Sequence, residues 1–453
     1  MALRDILHNL PEVKPSKDAK LGFNAKLKWT LVILVGFFIL SNLPLYGLAQ
    51  SALGRFEYLA ILLGTSFGSI ISLGIGPIVM ASIILQLLVG AQILNIDTKT
   101  EEGKKFFQGL QKLLAFAFVV FEAMVYVLMK GLAAQPGYQL IVIAQLCIGG
   151  FLIIFMDEVI QKYGFGSGVS LFIAAGIGWR LFTQLFQFIG PQGGFEASGK
   201  IWAIFVSLVN GDTTGFTLAL FSIVVTAVLF LMVVFAQSLK VEVPLSFDRA
   251  RGMGIRWPLN FFYAGVIPVI LVSALAANLQ LFASLLQGWL GHGTFLGTFQ
   301  GSTAVGGFSF WIARVPLLKL LLQGNLQFIN VIQAMSHILF YTLLSILFAF
   351  FWVSTSGQDA GSQAKNIMSS GLSMPGFRKD QRVLESILKR YIGPLTIMGG
   401  AAIGLLASVA NLLGALVGGT AILLAIMVLY QLYQNIAQQH ATDMNPALAG
   451  LFK

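Results

Sequence analysis

Long apolar runs separated by short polar segments are the main pattern along this chain. A membrane-spanning helix needs about 20 mostly apolar residues. Measured against that length, the sequence predicts ten spans, at about 29–47, 70–93, 112–130, 138–156, 168–187, 216–239, 259–286, 326–352, 391–415 and 418–439. This pattern predicts an all-α polytopic membrane protein, because a helix satisfies its own backbone polar groups in lipid.

The composition agrees with the membrane class. Of the 453 residues 57% are hydrophobic and only 10% are charged, whereas soluble domains have about 25% charged residues. The opening segment 1–28 is polar and basic, and the first long apolar run begins at Trp29. No small-residue cleavage site is evident there, so the first span is expected to remain in the protein.

The distribution of positive charge predicts the orientation. Cytoplasmic loops carry an excess of Lys and Arg. With the amino terminus inside, 22 of the 28 Lys and Arg residues fall in or next to inside segments, and the net charge of +10 follows from this excess. Both termini, 1–28 and 440–453, are therefore predicted to be cytoplasmic.

Ten spans divide into two sets of five, and an odd number of spans per set inverts the second set relative to the first. The predicted halves are 29–188 and 216–439, joined by an external connection at 189–215. "GIGPIVMAS" (74–82, span 2) aligns without gaps with "GVIPVILVS" (265–273, span 7), which is the expected counterpart. Inverted repeats are common in transport proteins, where the pathway lies between the repeats.

Both aligned segments contain helix-breaking residues. Gly74, Gly76 and Pro77 stand near the middle of the predicted second span, where proline removes a backbone donor and glycine permits irregular backbone. A packing kink is one interpretation. Because the break recurs at a matching place, a shared pathway between the halves is favoured, since irregular backbone at membrane depth must be buried or line a cavity.

Ionisable side chains are scarce within the spans. Glu122 is the only central acid and His337 the only imidazole in span 8, whereas ion-coupled carriers place several ionisable groups near the midplane. Glu122, Gln86, Asn278 and Gln280 are expected to serve mainly in helix packing. No P-loop, catalytic triad or metal-ligand cluster is present, so neither enzymatic activity, cofactor nor metal is expected.

The candidate pathway is instead aliphatic. Ile75 and Val79 share one helical face, as do Val169 and Ile173 after "GFGSG", while Ile270 aligns with Val79. Such pairs are ordinarily packing residues. They become candidates only through a family resemblance.

Five motifs in order resemble the SecY family, the channel subunit of the protein translocase, and its archaeal branch in particular. They are "LGIGPIVMASIILQLLVG" (73–90), "DEVIQKYGFGSGVSLFIAAG" (157–176), "VEVPLSFDRARG" (241–252), "FYAGVIPVILVSALAANLQLF" (262–282) and "FWVSTSGQ…GFRK…LKRYIGPLT" (351–396). The resemblance implies two inverted halves around a central hourglass pore, with a lateral gate of spans 2, 3, 7 and 8.

The resemblance also implies site residues. The family's aliphatic pore ring falls on Ile75, Val79, Val169, Ile173, Ile270 and Leu424. Its plug falls on 56–72, including Leu59, Ile61, Leu62, Leu63, Gly64, Ser66 and Phe67. Its lateral gate falls on Gln86, Glu122, Asn278 and Gln280. Met80 stands where some members carry threonine, so a polar cluster with Glu122 and Asn278 is expected to be incomplete.

The basic cytoplasmic loops 240–258 and 354–390 match the family's docking loops, although the positive-inside pattern alone also explains their charge. The docking residues implied are Arg249, Arg251, Arg256, Arg378 and Lys379. Expected partners are the ribosome, nascent polypeptides with signal sequences, the signal recognition machinery, small SecE-type and Sec-beta-type membrane subunits, and membrane lipids. No sequence-specific nucleic-acid binding is expected, and the implied location is the plasma membrane.

Other classes remain open on sequence grounds. An inverted-repeat secondary solute transporter would need a small-molecule site and coupling ions, which the single acid Glu122 disfavours. A flippase or a multipass scaffold is a weaker alternative. A translocon channel should co-purify with small single-span subunits, whereas a carrier should not.

Overall fold

The fold is predominantly helical. The computed structural model describes residues 10–14, 21–48, 68–90, 93–94, 96, 100–129, 132–188, 198–247, 254–301, 303–369, 372–373 and 380–444. Within these ranges, nine helices are long and apolar enough to cross a membrane, and two further apolar helices, Gly76–Gly90 and Lys200–Val209, are shorter. The predicted class of polytopic helical membrane protein is confirmed.

The first half consists of five helices, followed by a short sixth helix. They are α1 (Phe23–Asn42), α2 (Gly76–Gly90), α3 (Glu101–Leu128), α4 (Gln139–Tyr163), α5 (Gly168–Phe186) and α6 (Lys200–Val209). Helix α6 packs against α7, the first helix of the second half, as a short antiparallel hairpin.

The second half contains five long helices with smaller elements between them. The long helices are α7 (Thr213–Ser238), α8 (Ile267–Leu290), α11 (Phe328–Thr355), α13 (Gln381–Leu412) and α14 (Gly419–Met444). The smaller elements are β1 (Lys240–Phe247), β2 (Gly254–Asn260), β3 (Thr298–Gln300), β4 (Thr303–Gly306), α9 (Phe308–Ile312), α10 (Leu317–Leu322), α12 (Ala360–Ser369) and β5 (Leu372–Ser373).

The glycine and proline break lies at the start of α2, so its predicted place in mid-helix was wrong. Residues 68–75 form turns, Gly74 has a φ of 55°, and the helix begins at Gly76. Pro77 therefore occupies the first turn, where its missing N–H has no intrahelical acceptor to satisfy. The 15 residues of α2 span only about 22 Å, less than the ~30 Å of a hydrocarbon core.

The turns at residues 68–75 cover the part of the hydrocarbon core that α2 does not span, and they are enclosed by protein. Ile71 and Leu73 have no exposed surface. The Ser72 hydroxyl accepts a hydrogen bond from the Gly68 N–H at 2.8 Å, and the Ile70 N–H donates to the Leu43 carbonyl at 3.0 Å. This arrangement satisfies non-helical backbone at membrane depth.

The span predicted to begin at 259 also begins later. Residues 254–260 form strand β2, turns follow, and α8 starts at Ile267 with Pro268 in its first turn. Gly265 has a φ of 66°. The start of α8 thus has the same construction as the start of α2.

The two predicted cytoplasmic loops join in one small sheet. Strands β1 and β2 form an antiparallel hairpin with Lys240 opposite Asn260, and β5 pairs with β1 on its other edge, giving the order β2-β1-β5. Val243 and Leu245 point into a buried cluster with α11, α12 and α13. The hairpin is consequently attached to the helices and to the second loop.

Helices α11 and α13 make the most extensive contact between two long helices of the second half. A Cβ on Gly404 of α13 would lie 2.7 Å from the Thr342 Cα of α11, and Gly400 lies similarly close to Ile346. Small residues allow helices to approach closely where lipid provides no hydrophobic drive.

Candidate functional site

An aliphatic cluster lies where α2, α5, α8 and α14 meet. It includes all six predicted ring residues: Ile75, Val79, Ile173, Ile270 and Leu424 are each 5% exposed or less, and Val169 packs against them half-buried. Two of these helices belong to each half. The structure therefore brings side chains from four helices and two halves into one apolar contact region.

Val266 belongs to the same cluster and was missed at the sequence level. It is buried, and it aligns with Ile75 when "GIGP" is matched to "GVIP". The alignment that pairs Val79 with Ile270 also pairs these two residues, so the signal was present in the repeat.

A seam between the halves runs along α2. This helix packs against α3 on one side and against α8 and α11 on the other. Small residues line the seam, with Ala81 of α2, Ala123 of α3 and Ala277 of α8 in one buried cluster. At the carboxyl end of α2, a Cβ on Gly90 would overlap the ring of Phe351 in α11.

Three of the predicted gate residues are buried in these helices. The carboxylate oxygens of Glu122 and the Oε1 of Gln86 have no hydrogen-bond partner among the described residues, while Asn278 donates to the Ala274 carbonyl at 3.0 Å within its own helix. Gln280 is half-buried. Leaving a buried polar group unpaired costs about 1–3 kcal/mol. The unpaired oxygens of Glu122 and Gln86 therefore reduce the stability of the contact between these helices.

The predicted plug residues Leu59, Ile61, Leu62, Leu63, Gly64, Ser66 and Phe67 lie outside the described residues. The described end of that segment is held to the end of α1. The Leu45 N–H donates to the Gly68 carbonyl at 2.8 Å, and Pro44 bridges to Ser69.

Four of the predicted docking residues, Arg249, Arg251, Arg378 and Lys379, also lie outside the described residues. Arg256 is on β2, 79% exposed at its side chain, and its guanidinium is 2.9 Å from the Glu242 carboxylate. Tyr263, just after β2, donates to the Gln358 carbonyl at 2.7 Å. Burial, together with Asp359, raises the pKa of Tyr263 well above its usual value.

The described part of the amino-terminal segment is hydrogen-bonded to the carboxyl end of α4. Lys162 lies 2.9 Å from Glu158, which also pairs with Lys112 of α3 at 2.8 Å. The Lys162 ammonium donates to the Val13 carbonyl, and the Tyr163 hydroxyl donates to the Lys14 carbonyl at 2.7 Å. Lys112, Glu158 and Lys162 line a cleft of about 1320 Å³ between α3 and α4, together with other charged side chains.

The side chains in the central contact region are mainly apolar. Within the described part of the chain, no group of three or more His, Cys, Asp or Glu side chains could hold a metal ion. The six predicted ring residues are aliphatic and lie in a cluster that also contains aromatic side chains such as Phe37 and Phe172. Narrow apolar constrictions can block ions by excluding water.

Comparison with known proteins gives a consistent result. The SecY family model matches residues 69–433. A protein translocase subunit SecY from Methanothermobacter thermautotrophicus is 43% identical over 446 residues, covering 97% of this chain and 96% of the relative. The protein of the same description from Methanocaldococcus jannaschii is 37% identical over 451 residues and covers 98% of each chain.

Solved structures agree at the level of the fold. One described as "The structure of a protein conducting channel" superposes with a TM-score of 0.85 at 36% identity and covers 99% of both chains. Another, "Sec61 in the Canine ribosome-channel complex from the endoplasmic reticulum", gives a TM-score of 0.82 at 35% identity, again over 99% of both chains.

Proposed function

The chain belongs to the SecY family, and we propose that it works as the protein-conducting channel of a Sec translocon. It moves unfolded secretory polypeptides across the membrane and releases transmembrane segments sideways into lipid. Its relatives are described as protein translocase subunits over their full length.

The observation that carries this proposal is the aliphatic cluster between the halves. Ile75, Val79, Ile173, Ile270 and Leu424 are buried together, with Val169 against them. We assign these six side chains to the pore constriction. Closed, they exclude water and ions; because they lie on separate helices, they part around a moving chain and close behind it.

Sideways release follows from the seam between α2 and α8, which we assign to the lateral gate together with α3 and α11. A segment beside an open seam partitions by its hydrophobicity, since each Leu or Ile contributes about −0.3 to −0.6 kcal/mol and each central Asp, Lys or Arg costs about 2.5–3.5 kcal/mol. Ala81 and Ala277 lie on facing helices in one buried cluster. Because their side chains are small, they interdigitate little, and the two helices can separate easily.

We assign segment 56–72 to the plug of the external funnel, supported by the attachment of its end to the Leu43–Leu45 backbone through Gly68 and Ile70. We retain 29–188 and 216–439 as the two halves and 189–215 as the connection between them.

The basic cytoplasmic surface is assigned to docking of the ribosome and signal recognition machinery. In support, a structural relative is described in a ribosome-channel complex, and the loops 240–258 and 354–390 join in one sheet. Small SecE-type and Sec-beta-type subunits cover part of the exposed apolar flank. The excess of Lys and Arg on one side supports a plasma-membrane protein with both termini in the cytoplasm.

The test is a photo-crosslinker at Ile75 or Ile173 during translocation of an arrested secretory chain. The nascent chain should crosslink at both positions, because both face the same passage. Ile148, an exposed aliphatic residue of α4, is the matched control and should give no product. Crosslinking at Ile148 but not at the two buried positions would contradict the channel. Saturable uptake of a small solute without any nascent-chain product would favour a carrier.

A further inference from the structure

Two helices of the aliphatic cluster start beside a buried polar side chain of the preceding helix. In the first half, Asp157 of α4 is buried, and its Oδ1 accepts a hydrogen bond from the Val169 N–H in the first turn of α5, at 2.9 Å. Its Oδ2 accepts from Gln161 at 2.8 Å. Gly168 is so close that a Cβ on it would lie 2.6 Å from the Asp157 Cα.

In the second half, Asn411 of α13 holds the start of α14. Its Oδ1 accepts from the Thr420 N–H at 3.0 Å, and its Nδ2 donates to the Thr420 hydroxyl and lies 3.4 Å from the His337 Nε2. The His337 Nδ1 is 2.8 Å from the Ile312 carbonyl, which only accepts, so Nδ1 carries the proton and Nε2 accepts from Asn411. A Cβ on Gly419 would overlap Ala410 and the backbone nitrogen of Asn411.

The two contacts occupy equivalent places in the inverted repeat. "GVSLFI" (168–173) begins α5 and "GTAILL" (419–424) begins α14, and they align without gaps. Val169 matches Thr420, and Ile173 matches Leu424. Helices α4 and α5 are the fourth and fifth of their half, as are α13 and α14. The contacts therefore lie at opposite ends of the membrane, as inverted symmetry requires.

Each contact is one helical turn from a ring residue. Ile173 follows Val169 by four residues, and Leu424 follows Thr420 by four. A helix advances 1.5 Å and turns about 100° per residue. A slip of one residue at the start of either helix would therefore turn its aliphatic side chain away from the cluster.

We propose that Asp157 and Asn411 are paired positioning residues that fix the height and rotation of Ile173 and Leu424 in the constriction. The inference rests on the proposed channel function. Asp157 acts through the Val169 amide and Asn411 through Thr420, and neither side chain faces the passage itself. The seal thus depends on one polar anchor in each half.

The experiment measures resting ion current through the purified channel in planar bilayers. D157A and N411A should each raise the current several-fold. D157N keeps the acceptor for the Val169 N–H, and T420S keeps the hydroxyl at Thr420, so both should stay at the parental level. The controls are E158Q, the neighbour of Asp157 that pairs with Lys112 and Lys162, and S408A, a buried hydroxyl of α13 bonded within its own helix. Both control variants should have the same resting current as the parent.

A labelling readout reports the register directly. Leu424→Cys is expected to be shielded from a water-soluble maleimide in the parent, where Leu424 is 2% exposed, and in S408A. It should become labelled in N411A. If D157A or N411A fails to accumulate, T420V replaces them, because it removes the hydroxyl at nearly constant volume and should raise the current where T420S does not.

A channel with Ile75, Val79 and Ile270 changed to threonine serves as the positive control. If that channel leaks while the anchor variants remain tight and unlabelled, the positioning role is refuted and the channel function stands. If the threonine channel itself remains tight, the constriction is wrong, and both inferences fail.

Discussion

Gly74 and Gly265 have the same left-handed backbone, with φ of 55° and 66°, and each precedes by three residues the proline of a helix's first turn. The helices they introduce, α2 and α8, begin at positions that are equivalent in the repeat. Such φ values strain any residue with a Cβ. In both halves, the glycine therefore allows the turn that places the next residue, Ile75 or Val266, in the central cluster.

Polar substitution of the ring should make the closed channel conduct ions. Changing Ile75, Val79 and Ile270 together to threonine places hydroxyls in a water-free contact, so water enters and resting current in planar bilayers should rise several-fold. The matched control changes Ile39, Ile148 and Ile397, exposed aliphatic residues on other helices, to threonine. Equal currents from the two triple variants would contradict the ring.

The seam predicts where signal sequences are captured. Photo-crosslinkers at Gln86 and Asn278 should trap a signal sequence during its insertion, because α2 and α8 are in contact along the proposed gate. A crosslinker at Ala401 of α13, away from the seam, should not. One aspartate at the centre of the signal sequence costs about 2.5–3.5 kcal/mol and should reduce the crosslinked fraction about a hundredfold. Capture at Ala401 alone would refute this gate.

Close packing of α4 predicts a stability difference between two glycines. A Cβ on Gly149 would overlap the Ile70 carbonyl of the turn before α2, so Gly149→Ala should lower the free energy of unfolding by about 1–3 kcal/mol. Gly178 of α5 has no neighbour in the way, and Gly178→Ala should be neutral or stabilising by about 0.4–1 kcal/mol. Thermal unfolding in detergent measures both. An unchanged midpoint for Gly149→Ala would show that this contact gives way easily.

Tyr263→Phe should loosen the cytoplasmic sheet. Loss of the hydrogen bond to the Gln358 carbonyl costs about 0.5–1.5 kcal/mol and should speed tryptic cleavage in the loops 240–258 and 354–390. Tyr433→Phe, at an exposed tyrosine, is the control.

Ionisation of Tyr263 should make the sheet less stable at alkaline pH. Burial and Asp359 raise the pKa of Tyr263 in the folded protein, while the unfolded value is about 10. The stabilisation that Tyr263 provides is therefore complete below a pH of about 10. It declines as the pH rises from there through the higher pKa of the folded protein. Trypsin resistance should fall above that pH in the parent and less in Tyr263→Phe. A parallel decline in both proteins would remove Tyr263 as the cause.

Charge reversal tests the docking surface. Arg251→Glu and Arg378→Glu should weaken ribosome binding and make the remaining binding less sensitive to salt, because fewer ion pairs form. Lys319→Glu, a basic residue on the external side, is the control for net charge. Membrane insertion of the protein itself should be unaffected. Loss of insertion together with binding would indicate misfolding instead.

The spans and the helical spacing of the aliphatic pairs could be predicted from the sequence, because the length and periodicity of a helix are local properties. It placed the break of α2 in mid-helix because a Gly-Pro pair fits a kink and a helix start equally well. The sequence analysis predicted residues 240–258 as a basic cytoplasmic loop. The alternation of Val241, Val243 and Leu245 with other residues, which is typical of a strand, was not used. The contacts of Asp157 and Asn411 were missed because their partners lie in the next helix, 12 and 9 residues away.

Helix α13 has 32 residues and extends about 48 Å, beyond the ~30 Å hydrocarbon core. Its projecting end holds Leu384 and Leu388 in one packed unit with Val243 and Leu245 of the hairpin. The other end of the same helix carries Asn411, which holds the start of α14. One helix, interrupted only by Pro394, therefore connects the sheet to the start of α14 on the other side of the hydrocarbon core.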